Sequence, residues 1–120
     1  MTHILVVDDS PTELHVFKSI LEKNGFQVTT AQSGEEGVEL AKQVKPDLVL
    51  MDVVMPGLNG FQATRQLANE PSTQNIPVII VTTKDQETDK VWAKRQGAKD
   101  YIVKPAKEKE LLQRIGSLLG

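Results

Sequence analysis

Apolar runs in this chain stop abruptly at polar residues. Ile4-Leu5-Val6-Val7 ends at Asp8-Asp9, and Leu48-Val49-Leu50-Met51 ends at Asp52. Val78-Ile79-Ile80-Val81 ends at Thr82, and Tyr101-Ile102-Val103 ends at Lys104. Short runs of branched residues without alternation read as strands buried on both faces, the signature of a parallel sheet. Gln27 to Ala31 supplies one more short strand. Between the strands the apolar period lengthens to that of a helix. Leu14, Phe17 and Leu21 share one face, Val38, Ala41 and Val44 another, and Phe61, Thr64, Leu67 and Ala68 a third. A polar helix is expected from Glu87 to Gln96. Leu111, Leu112, Ile115, Leu118 and Leu119 give the clearest amphipathic stripe.

The boundaries carry their own signals. Ser10-Pro11-Thr12-Glu13 offers a cap, a proline suited to the first helical position and the spacing of a capping box. Ser33 and Glu36 repeat that spacing. Gly25 and Gly97 are placed to stop helices in a left-handed conformation, and Pro46 breaks the second helix. Pro56-Gly57-Leu58-Asn59-Gly60 reads as a loop, and Glu70 to Pro77 as the longest connection. Strand and helix alternate throughout, which implies an α/β parallel sheet with helices on both faces. Right-handed crossovers leave few topologies. The expected fold is one flavodoxin-like, doubly wound (βα)5 domain with strand order 2-1-3-4-5.

In such a sheet the ligand crevice lies beyond the carboxyl ends of the strands. Asp8, Asp9, Asp52, Thr82 and Lys104 would therefore meet in one place. Two unit charges about 4 Å apart cost roughly 4 kcal/mol at an effective dielectric near 20, so converging carboxylates need a counter-ion. Mg²⁺ suits them, because it prefers oxygen ligands and takes one or two carboxylates. Asp8, Asp9 and Asp52 then balance Mg²⁺ plus Lys104. No phosphate-binding loop of either common type is encoded. A carboxylate can itself be the nucleophile, and Asp52 stands alone between the Asp8-Asp9 pair and the Thr82 and Lys104 strands. Taken singly, Thr82 reads as a strand end and Lys104 as a surface lysine; the joint pattern is the signal. His3 and His15 lack metal-ligand spacing. Of the neighbours Val91 and Trp92, one is expected to pack inward and the other to face solvent.

Composition changes this picture only at the margins. The 120 residues suffice for one domain, 1–120, with no output domain. There is no cysteine, so disulfides and thiolate chemistry are excluded. Neither a signal peptide nor a membrane-length apolar run is present, so a cytoplasmic protein is expected. The net charge of −2 argues against nucleic-acid binding. The charge is unevenly spread: residues 1–83 carry −5 and residues 84–120 carry +3. A docking face with its own sign would follow from the second segment.

Val6-Val7-Asp8-Asp9-Ser10, Leu50-Met51-Asp52-Val53-Val54-Met55-Pro56-Gly57-Leu58-Asn59-Gly60, Val81-Thr82-Thr83 and Val103-Lys104-Pro105 closely resemble bacterial response-regulator receiver domains. The resemblance covers the whole chain. It implies that Asp52 accepts phosphate from a histidine kinase. It implies Mg²⁺ held by Asp8, Asp9, Asp52 and the backbone carbonyl of Val54. It assigns Thr82 as the switch hydroxyl, Tyr101 as the rotating switch aromatic and Lys104 as the phosphate partner, with a cis bond before Pro105. Such a protein is no ordinary enzyme; it catalyses only its own phosphorylation and dephosphorylation. The stretches from Met55 to Leu67 and from Thr82 to Trp92 look like a narrower group, stand-alone regulators of type IV pilus twitching motility. Val54 and Lys90 depart from the chemotaxis regulators of the family, which argues against their dephosphorylation chemistry and flagellar target. A monomer is expected that switches binding of a protein target through Lys90, Lys94 and Lys99, or that drains phosphate from a shared kinase. A haloacid-dehalogenase-like phosphatase would want an Asp at the position of Val54. A flavodoxin-like cofactor binder would want a phosphate loop where Asp8 and Asp9 stand.

Overall fold

A computed structural model describes all residues, 1–120. Five strands and five helices alternate. They are β1 (His3–Val7), α1 (Pro11–Lys23), β2 (Gln27–Ala31), α2 (Gly34–Val44), β3 (Leu48–Met51), α3 (Gly60–Asn69), β4 (Val78–Thr82), α4 (Glu87–Gln96), β5 (Asp100–Val103) and α5 (Glu108–Leu119). The strands are parallel in the order β2-β1-β3-β4-β5, as expected.

Side chains alternate across each strand, and this divides the core into two layers. Ile4, Val6, Leu48, Leu50 and Ile79 face α1 and α5, where Leu14, Phe17, Leu21, Leu111 and Ile115 meet them. Leu5, Val7, Val49, Met51 and Ile80 face α2, α3 and α4. Each fully buried Leu or Ile contributes about 1.5–3 kcal/mol. A charge within such a run would forfeit that gain, so charged residues appear only where the strands end.

The helix starts differ from the sequence expectation. Ser10 and Ser33 do cap, accepting from the amides of Glu13 and Glu36. Neither capping box closes. The Ser10 amide donates to Asp8, and Glu36 accepts from Gln32 instead. The complete box lies at α3, between Asn59 and Gln62. Helix α2 ends at Val44, and Lys45, just before Pro46, caps it in the left-handed region.

The expectation for Val91 and Trp92 is overturned: both are exposed, at 46% and 48%. The inward face of α4 is made by Ala93 and Gln96. A Cβ at Gly97 would come within 2.8 Å of the Ala68 Cβ. The small residues Gly97 and Ala68 therefore meet where the end of α4 crosses α3, and the bulky pair is turned outward.

Candidate functional site at the carboxyl edge of the sheet

Main-chain hydrogen bonds continue past the strand ends and place the polar residues. The Asp8 amide donates to the Ala31 carbonyl at 3.0 Å, the Asp52 amide to Val7 at 2.9 Å and the Lys104 amide to Thr82 at 2.8 Å. The sheet itself thus aims the side chains of Asp8, Asp52 and Lys104. Carboxylate oxygens of Asp8, Asp9 and Asp52 lie within 4.8 Å of one another, with Asp8 buried and Asp9 exposed. This oxygen-only donor set fits a hard divalent cation.

Asp52 is held at one oxygen and open at the other. Its Oδ1 accepts from the Val53 amide at 2.8 Å, while Oδ2 lies 3.8 Å from the Lys104 ammonium. Burial pushes its pKa up. Lys104 pulls it down, Asp8 pushes it up again, and the Val53 amide and the Thr82 hydroxyl pull it down; the net shift is upward. The loop after Asp52 turns back so tightly that a Cβ at Gly60 would sit 1.9 Å from the Asp52 carbonyl oxygen. Only glycine allows α3 to begin there. The Gly60 amide secures the turn by donating to Val53 at 3.0 Å. Val54 rides on this loop and is 60% exposed.

Lys104 is engaged more fully than its sequence position suggests. It donates to Asp8 Oδ2 at 2.7 Å and pairs with Glu13 Oε1 at 3.0 Å, both nearer than Asp52. Its ammonium also lies 5.9 Å from the Phe17 ring centroid, within cation–π range. Burial lowers its pKa, but the bonds to Asp8 and Glu13 outweigh that and keep it charged. The spacing from Ser10 predicts Glu13 as part of a capping box. Because Asp8 takes the Ser10 amide, the Glu13 carboxylate is free to reach Lys104. The charge balance expected from the sequence is therefore off by one carboxylate.

The remaining residues form a path away from this centre. Thr82 is fully buried at the end of β4. Two residues on, the Lys84 carbonyl accepts from the Tyr101 hydroxyl at 2.8 Å. Tyr101 is half-buried against the α2–α3–α4 layer. Burial raises its pKa to about 12, helped by the charges of Asp89, Asp85 and Asp52. The bond before Pro105 is cis, as expected. Beyond Tyr101 runs an open groove of about 450 Å³ whose lining includes Lys90, Val91, Lys94, Lys99 and Arg114. Lys94 and Lys99 are exposed; Lys90 is half-buried.

Residues 4–116 match the family model for the response regulator receiver domain. The chain is 64% identical to Protein PilH of Pseudomonas aeruginosa, covering all of this chain and 99% of that one. It is 36% identical to the response regulator PleD of Caulobacter vibrioides over 96% of this chain, which spans 25% of PleD. Among solved structures, chemotaxis protein CheY4 of Vibrio cholerae superposes with a TM-score of 0.94 at 28% identity, covering 99% of both chains. The receiver domain of a sensor histidine kinase from Pseudomonas aeruginosa gives 0.92 at 30% identity, covering 99% of this chain and 98% of that one, and it has a magnesium ion coordinated in its active-site cleft. The chain belongs to the receiver-domain family of response regulators, the receiving half of two-component phosphorelay signalling.

Proposed function

We propose that Asp52 is the phosphoacceptor of this receiver and that the phosphoryl group is read out on the α4–β5 side. Receiver domains of this kind take phosphoryl groups from histidine kinases. The observation that carries the assignment is the environment of Asp52. It has one oxygen fixed by the Val53 amide and the other open beside Lys104. The open oxygen attacks the phosphorus of a phosphohistidine. A P–O bond forms as the P–N bond breaks, and the imidazole keeps the electron pair and takes a proton from solvent. Asp8, Asp9, Asp52 and the Val54 backbone carbonyl would hold Mg²⁺, which supplies positive charge to the phosphoryl oxygens. Lys104 supplies the second cation.

Thr82 then moves toward the phosphoryl oxygens, and Tyr101 gives up the Lys84 carbonyl and follows. The surface around Lys90, Lys94 and Lys99 changes shape and binds a protein target with an acidic or mixed-charge segment. The chain acts as a cytoplasmic monomer and turns over only its own phosphate. The likeness to PilH supports a place in type IV pilus twitching motility.

Incubation with acetyl phosphate and Mg²⁺, followed by intact mass, tests the acceptor. One phosphate adduct is expected in the wild type and none in Asp52→Asn; an adduct of equal yield in the variant overturns the assignment. Pull-down by the phosphorylated protein should weaken in Lys90→Glu and Lys94→Glu. Target capture untouched by both favours the phosphate-draining role instead.

A further inference from the structure

We propose that Glu13 is a positioning and selectivity residue for phosphoryl transfer, holding Lys104 away from Asp52 and disfavouring small dianionic phosphodonors. The inference rests on Asp52 being the acceptor. Glu13 lies on the first turn of α1, 3.0 Å from the Lys104 ammonium, whereas Asp52 Oδ2 is 3.8 Å away. The ammonium has three protons. Asp8 and Glu13 hold two of them in the resting site. A phosphoryl group on Asp52 must draw Lys104 toward itself against that grip.

Glu13 also changes the charge that a donor meets. Asp8, Asp9 and Asp52 would be balanced by a divalent cation and Lys104. With Glu13 the mouth is left one unit negative. Glu13 is the outermost member of the Lys104 cluster, with its side chain 38% exposed while those of Lys104 and Asp8 are 10% and 3%. An approaching anion therefore meets Glu13 before it reaches Lys104. A donor bound to a protein can bring a compensating basic side chain; a free acyl phosphate cannot.

The step tested is transfer from a small donor. The Asp52 oxygen forms a bond to phosphorus, and the donor's P–O or P–N bond breaks. Acetate leaves with the electron pair, or ammonia leaves with it, its nitrogen already protonated in the phosphoramidate monoanion. Acetyl phosphate is a dianion at neutral pH, and phosphoramidate carries one net negative charge. Removing a unit charge at this range in a water-like dielectric should lower the half-saturating concentration about three- to tenfold for the dianion and about two- to threefold for the monoanion.

The experiment measures phosphorylation rate against donor concentration for the wild type, Glu13→Gln and Glu13→Asp. Glu13→Gln should lower the half-saturating concentration, more for acetyl phosphate than for phosphoramidate. Added salt should shrink the difference. Glu13→Asp keeps the charge and should keep the wild-type donor preference. In the metal-free protein, NMR of the Lys104 ammonium should show faster proton exchange in Glu13→Gln than in the wild type. A rate that falls in Glu13→Gln, or changes equally for both donors, or an ammonium signal that is unmoved, overturns the proposal while Asp52 remains the labelled residue. Labelling of Asp52→Asn would instead overturn the acceptor reading, and this proposal with it.

Discussion

The starts of α3 and α4 are opposite in construction. Helix α3 begins beside Asp52 with a closed capping box, Asn59 with Gln62, and with Gly60 wedged against the Asp52 carbonyl. Helix α4 begins after Gln86, whose side chain makes no cap hydrogen bond. It buries only Ala93 and Gln96 and leaves Val91 and Trp92 in solvent. On the proposed function, the Asp52 side must keep oxygens at fixed positions, since misplacement by about 1 Å can cost about 100-fold in rate. A signalling side must change shape at low cost, and weakly held elements are where such motion is found. Thr82, the Lys84 carbonyl and Tyr101 lie between the two sides.

The contrast can be broken most forcefully at Gly60. Gly60→Ala should destabilise the protein by about 3 kcal/mol in urea unfolding, because the added methyl overlaps main chain that cannot move aside. Trp92→Ala, on the other side, should stay within about 0.5 kcal/mol of the wild type. The same difference should recur at the caps. Asn59→Ala should cost about 1 kcal/mol, whereas Gln86→Ala should cost almost nothing and Gln86→Ser should stabilise slightly.

Charge gives two finer tests. The raised pKa of Asp52 means that the native state holds its proton more tightly than the unfolded chain does. Its contribution to stability is then intact below the ordinary Asp range and is lost as pH rises through the native pKa. Metal-free Asp52→Asn should therefore melt higher than the wild type at neutral pH, and the gap should close in acid. The smallest effect concerns Tyr101, the only tyrosine in the chain. Its phenolate absorbance should appear near about 12, and Asp89→Asn should move the midpoint down. A midpoint at the ordinary value of 10.0 would mean that Tyr101 is not packed as described.

Strands β1, β3 and β4 are legible because both faces of each are buried, so their apolar runs are continuous and end where the sheet ends, whereas the edge strands β2 and β5 are only partly buried. That placed Asp8, Asp52, Thr82 and Lys104 correctly from spacing alone. Glu13 was misread because a capping box and a free first-turn carboxylate share one spacing; only the competition from Asp8 for the Ser10 amide tells them apart. The Asn59–Gln62 box was hidden inside a stretch read simply as loop. For Val91 and Trp92, hydrophobicity predicts burial of one, but Ala93 and Gln96 make the inward face of α4 and leave both outside.

Hydrogen exchange of the protein with and without stable phosphorylation at Asp52 tests the account most directly. The Val53–Gly60 loop and the first turn of α3 should stay equally protected in both states. The amides of α4 and of Asp100–Val103 should change protection when phosphate is added and remain unchanged in Asp52→Asn. Equal exchange in α4 and β5 with and without phosphate, or a change confined to the α3 start, would contradict it.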